Sequence, residues 1–147
     1  MRIALPLVVG IGAVLGTVVV HAMALVANLG LVRRERAAGR FGRGFWTDLR
    51  IVGVAVVLAL TAHMLEIGGW AALLVGLGEF PAFDVAFYHS AMSYTTLGYA
   101  DVVMSPAWQV LGPIEATDGM LMFGVSTAMI FAVIQRLVYV RLPEMRP

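Results

Sequence analysis

The residues with the plainest chemistry lie at 94–101, Tyr-Thr-Thr-Leu-Gly-Tyr-Ala-Asp. This segment sits between long apolar stretches and is too polar and too glycine-containing to span a bilayer itself. Its Thr-x-Gly-Tyr core suits the coordination of a dehydrated cation. A bare cation must be met by oxygen, and a ring of backbone carbonyls can replace its hydration shell. Carbonyls converge on one side only where the backbone takes unusual dihedrals, which Gly98 permits. The Thr96 hydroxyl adds an oxygen, Tyr99 can wedge outward to brace the strand, and Asp101 puts negative charge at the mouth. A second group is sparser. His63 and Glu66, at i and i+3, share a helix face, and His21 lies in a separate apolar run. Such side chains within a membrane read either as a proton relay or metal site, or as satisfied polar contacts between helices. Counted from residue 49, the His63–Glu66 pair falls near an interface, which favours the second reading.

The 95–101 segment resembles the pore loop of the tetrameric potassium-channel family, Thr-x-Gly-Tyr-Gly-Asp, with one departure. Ala100 stands where that family has its second glycine. A looser resemblance runs over about 49–140, as outer helix, pore helix, filter and inner helix. It implies a passive channel, potassium-selective, with the permeant ion at the carbonyls of Thr96, Leu97, Gly98, Tyr99 and Ala100. It implies no cofactor, no small-molecule substrate and no enzymatic turnover. Thr95 and Asp101 would flank the filter, and Tyr88 and His89 occupy positions where the family commonly packs aromatic residues around it. The run Glu115-Ala116-Thr117-Asp118-Gly119 is similar to the start of the inner helix in small two-span channels. Carried across, Glu115 hydrogen-bonds behind the filter, and Asp118 is either pore wall or second buttress. Gly119 and Gly124 are candidate hinges or close-packing points. If position 100 needs positive φ, alanine there costs on the order of 1 kcal/mol per chain. Weakly selective monovalent-cation conduction is therefore the alternative within this reading. A non-channel membrane subunit using His21, His63 and Glu66 is the alternative outside it.

Composition supports a membrane protein. Hydrophobic residues make up 61% of the 147, and mean hydropathy is +0.90. There is no cysteine, so disulfides and thiolate metal sites are excluded. The basic residues are all arginine: six at 33–50, three at 136–146, and Arg2. They flank apolar spans, which argues for lipid headgroups and against nucleic acid.

A filter of this kind needs helices to hold it at the right depth. Residues 1–32 read as an N-terminal membrane helix, retained because Arg33-Arg34 stops transfer beyond the signal-like Ala22-Met23-Ala24. Residues 33–48 form a basic loop, and 49–147 a pore domain. Within it the outer helix is expected at 49–75, the pore helix at 83–94, the filter at 95–101 and the inner helix at 106–140. Ser105-Pro106 supplies the start of the last helix, Gly112-Pro113 is expected to kink it, and Ser126 and Thr127 to line a cavity. Trp70 marks an interface. The fold class is thus an all-α membrane protein of three transmembrane helices plus a re-entrant pore helix and filter loop. Four copies must close the ring, because one strand cannot surround an ion. A cytoplasmic basic loop puts the N-terminus outside and the C-terminus inside a plasma (inner) membrane, with nine of ten arginines inside. The filter then faces outward. The C-terminal, partly negative end of the pore helix points at it.

Overall fold

In the computed structural model, residues 3–142 and 144 are described. Among them the chain is all helical: α1 Ala4–Ala37, α2 Phe45–Gly76, α3 Phe83–Tyr94 and α4 Leu111–Arg141. α1, α2 and α4 are each long and apolar enough to cross a membrane. Their outward faces carry large apolar side chains such as Val8, Val26, Leu60 and Phe131. Such faces suit hydrocarbon, where no helix face need be polar.

Two of the helices end at a glycine in the left-handed region. Past α1, Gly39 has φ 63° and donates to Arg36 O (2.9 Å), while Arg40 N–H donates to Glu35 O (3.0 Å). Past α2, Gly78 has φ 76° and donates to Val75 O (3.0 Å), with Glu79 N–H on Leu74 O (3.0 Å). Both are Schellman closures, which satisfy carbonyls that would otherwise be orphaned. The first one sets the length of the loop. α1 runs on to Ala37 and α2 begins at Phe45, so the basic connection is shorter than the expected 33–48.

α4 begins at Leu111, not at 106. Residues 105–110 form successive turns, with Trp108 and Gln109 N–H both on Ser105 O. Ser105 is occupied otherwise: its N–H and its hydroxyl both donate to the Glu79 carboxylate at 2.7 Å. Pro113 therefore falls in the first turn of α4. Its missing N–H has no intrahelical partner to lose there, so no kink is needed.

α2 packs against α1, α3 and α4. The main core gathers Ile67, Trp70, Leu74, Phe80, Tyr94, Leu111 and Met122 around the contact of α2 with α3 and α4. A smaller cluster, Ile51, Val133 and Leu137, joins α2 to α4 near their other ends. Trp70 is 1% exposed, a core residue rather than an interface marker. Its indole N–H explains the burial, since it donates to Asp118 Oδ2 at 2.9 Å.

Backbones come very close between α3 and α4. A Cβ on Gly119 would lie 1.9 Å from the Tyr94 carbonyl oxygen, whereas one on Gly124 would meet nothing within 4 Å. Gly119 is thus required by packing. Gly119→Ala should destabilise the fold by roughly 3 kcal/mol or more, since backbone must move to admit the methyl. Gly124→Ala should be neutral or stabilising by up to about 1 kcal/mol. Thermal melts of the two purified variants in one detergent check both.

Candidate functional site

The 95–101 segment begins as the C-terminus of α3. Thr95 N–H donates to Ala91 O (3.1 Å), and its hydroxyl donates to the same carbonyl at 2.6 Å. Thr96 N–H then closes on Ser93 O (2.9 Å), and Gly98 N–H on Met92 O (3.1 Å). Thr96 holds φ 61°, in the left-handed position that a helix usually ends on with glycine. A β-branched residue there is a genuine outlier. Gly98 comes next at φ 57° and Ala100 at φ 59°, while Leu97 and Tyr99 keep negative φ. In a strand of uniform handedness, alternate carbonyls point to opposite sides. Alternating the sign of φ turns successive peptides the same way. The Ala100 conformation meets the condition under which alanine is strained relative to glycine.

Side chains of α3 clasp the far end of this segment, at Asp101 and Val102. Tyr88 donates its hydroxyl to Asp101 Oδ2 (2.9 Å), and that bond raises the phenol's pKa because it stabilises the protonated form. His89 Nδ1–H donates to Val102 O at 2.9 Å. With Nδ1 protonated, Nε2 accepts, and the Ser93 hydroxyl lies 3.4 Å from it. His89 also packs on Phe80, ring centres 4.9 Å apart. Leu97 and Tyr99, by contrast, are 58% and 69% exposed in the single subunit.

The acidic residues of α4 are placed differently from one another. Glu115 is fully buried, and among the described residues neither carboxylate oxygen has a hydrogen-bond partner; the buried Ser90 hydroxyl is likewise unpartnered. Asp118 is 1% exposed and faces α1 and α2, taking hydrogen bonds from the Thr17 hydroxyl (2.9 Å to Oδ2) and Trp70. Ser126 is 6% exposed and also points into the subunit.

The structure brings together residues the sequence left apart. His21 Nδ1 is 2.9 Å from Glu66 Oε1, and His63 Nδ1 is 3.2 Å from Glu66 Oε2. Tyr94 donates its hydroxyl to Glu66 Oε2. Ser126 Oγ lies 3.1 Å from Nε2 of both histidines. The cluster is level with the middle of α1, α2 and α4, not with a helix end: within α2, 18 residues precede His63 and 13 follow it. Thr17, Trp70, Tyr94 and Ser126 were the partners that sequence reading missed. A signal did exist: His21, His63 and Ser126 all fall near mid-helix, so adjacent spans bring them to one depth.

At the opposite end Arg40 and Arg50 pair with Glu35, and Arg141 pairs with Asp48 through Nη2 at 2.6 Å. Asp48 also takes the Gly42 N–H at 3.0 Å.

Replacing the buried indole donor tests the polar interior. Trp70→Phe should cost about 2 kcal/mol by leaving Asp118 short of a hydrogen bond. A thermal melt, run with Thr17→Val and the double variant, measures this and the coupling between the two donors.

A family model described as an ion channel matches residues 51–136, more than half of the chain. No curated protein and no solved structure matches.

Proposed function

The chain belongs to the ion channel family, and from that premise we propose that it is a passive, potassium-selective channel assembled from four copies. The observation that carries this reading is the alternating φ sign along Thr96, Leu97, Gly98, Tyr99 and Ala100. Backbone so wound can turn a file of carbonyls to one side, and four such files around an axis would replace the water of a dehydrated potassium ion. Thr96 adds its hydroxyl at the inner end of the file. The exposure of Leu97 and Tyr99 in one subunit is what a surface awaiting its neighbours presents. Thr95, Tyr88, Asp101 and His89 hold the file against α3. The C-terminal end of α3 adds about half a negative charge beside the inner mouth, which favours a cation there.

Arginine-rich ends of the helices lie on the cytoplasmic side of the plasma membrane in this reading, and Asp101 and Glu79 face outward. A negative vestibule raises the local cation concentration. The family match speaks against the non-channel alternative. Weak selectivity is favoured by one observation, the strained Ala100.

Flux from liposomes containing the purified protein, under potassium or sodium gradients, tests the proposal. Potassium should pass and sodium should be slower; equal rates would leave a channel without the preference, and no flux would remove the channel. Crosslinking should give a ladder that stops at four. Ala100→Gly should relieve on the order of 1 kcal/mol per subunit. It should raise the melting temperature of the tetramer and widen the potassium-to-sodium ratio, measured in the same vesicles.

A further inference from the structure

Glu66 lies where all four helices meet, 1% exposed, with His21 and His63 at 3% and 4%. The cluster takes no part in the proposed permeation path. Its protons do not balance as they stand. Five contacts join the side chains: Glu66 with His21, with His63 and with Tyr94, and Ser126 with each histidine. The second, longer contact of His63 Nδ1, 3.3 Å to the Tyr94 hydroxyl, shares the proton of the first. Each contact needs one proton. Tyr94 and Ser126 supply one each, two neutral imidazoles supply one each, and an ionised Glu66 supplies none. With both rings neutral and Glu66 ionised, one contact is therefore lone pair against lone pair unless one further proton or a metal cation enters.

A divalent metal ion supplies that charge at the place the geometry indicates. Both Nδ1 atoms converge on the carboxylate of Glu66, and both Nε2 atoms converge on one hydroxyl. With the Nδ1 lone pairs and a Glu66 oxygen on an ion, both rings carry their proton on Nε2. Each then donates to Ser126 Oγ, whose two lone pairs are matched. A ligating histidine donating its other N–H in this way is the usual outer-shell arrangement. Ligand atoms of the three residues all lie within 4.8 Å of one another. A tetrahedral zinc site, with bonds of 2.0–2.1 Å, spaces them by about 3.3 Å, so small side-chain rotations suffice.

We propose that His21, His63 and Glu66 form an intrasubunit site for one divalent ion of the zinc class. Two imidazoles and one carboxylate suit zinc or cobalt over magnesium or calcium, which take oxygen. Tyr94 is placed to orient the carboxylate or to serve as a fourth ligand. A cleft of about 460 Å³ between α1 and α2, lined by Gly12, Gly16, Thr17, Gly69 and Glu66, reaches the carboxylate. The small residues keep it open: a Cβ on Gly12, Gly16 or Gly69 would meet nothing within 4 Å. Asp118, the other carboxylate nearby, is engaged by Thr17 and Trp70 and leaves the ligand set as three residues. The bound ion links α1 to α2, and through Ser126 to α4.

The full chain, purified in detergent and stripped with a chelator, is titrated with Co²⁺ and Zn²⁺. One Co²⁺ per chain should bind with the visible absorption of a tetrahedral nitrogen–oxygen site, and Zn²⁺ should displace it. Affinity should weaken as pH falls, because metal ligands must be deprotonated. Ser126→Ala should bind about 10–100-fold more weakly. The His21→Gln/His63→Gln double variant should lose the band. Absence of a saturable cobalt band in the wild-type chain overturns the site. So does an isotherm unchanged in the double variant or, should that variant not fold, unchanged in Ser126→Ala.

Discussion

Irregular backbone can persist among membrane helices only where protein encloses it or where it lines a water-filled cavity. That constraint governs the stretch after Tyr94, the longest non-helical connection among the described residues. The first part is capped onto α3, and the last part is pinned by Tyr88 and His89. What encloses it below is α4, brought in until Gly119 touches the Tyr94 carbonyl. Remove that contact and the end of α3 has no floor. The left-handed turns at Thr96 and Ala100 are backbone strain of the kind that persists only where the surrounding structure holds it.

The interior beneath the segment is polar, which is expensive in hydrocarbon unless every group finds a partner. Here the partners are shared out between helices. α1 contributes Thr17 and His21, α2 His63, Glu66 and Trp70, α3 Tyr94, and α4 Asp118 and Ser126. A first helix that packed through apolar contacts alone would have little preference for one register over another in lipid, where hydrophobic burial does not drive association. Two polar anchors, one turn apart on α1, fix its height and rotation against α2 and α4. Among the described residues Glu115, Ser90 and the Asn28 side-chain carbonyl oxygen are the exceptions, buried without a partner.

Much of this is legible in residue order. Apolar length gives three spans. Phe83–Tyr94 has readable ends, because Pro81 and Asp84 mark its start and the polar segment its finish. The start of α4 is harder, because two Pro-containing signals compete, at 105–106 and 112–113. Nothing local says that Glu79 claims Ser105 and so leaves the later proline to open the helix. The meeting of His21 with His63 and Glu66 has no local signature, since 45 residues separate His21 from Glu66; only their shared mid-helix depth points to it. Trp70 is ambiguous for a similar reason: its polar atom could seek a headgroup or a buried carboxylate, and only the fold provides Asp118.

The ion pairs at the arginine-rich end have a mechanical corollary. Glu35 on α1 reaches Arg50 on α2, and Asp48 on α2 holds Arg141 on the last turn of α4. The three long helices are thereby strapped at the same end. An outward swing of the tail of α4 cannot be a lone bend: it drags the root of α2, and α1 with it, or else it must first part Arg141 from Asp48. Widening at that end is thus a movement of a whole three-helix lever, resisted by two carboxylates that touch no ion in transit and by the packing of Ile51 on Val133 and Leu137.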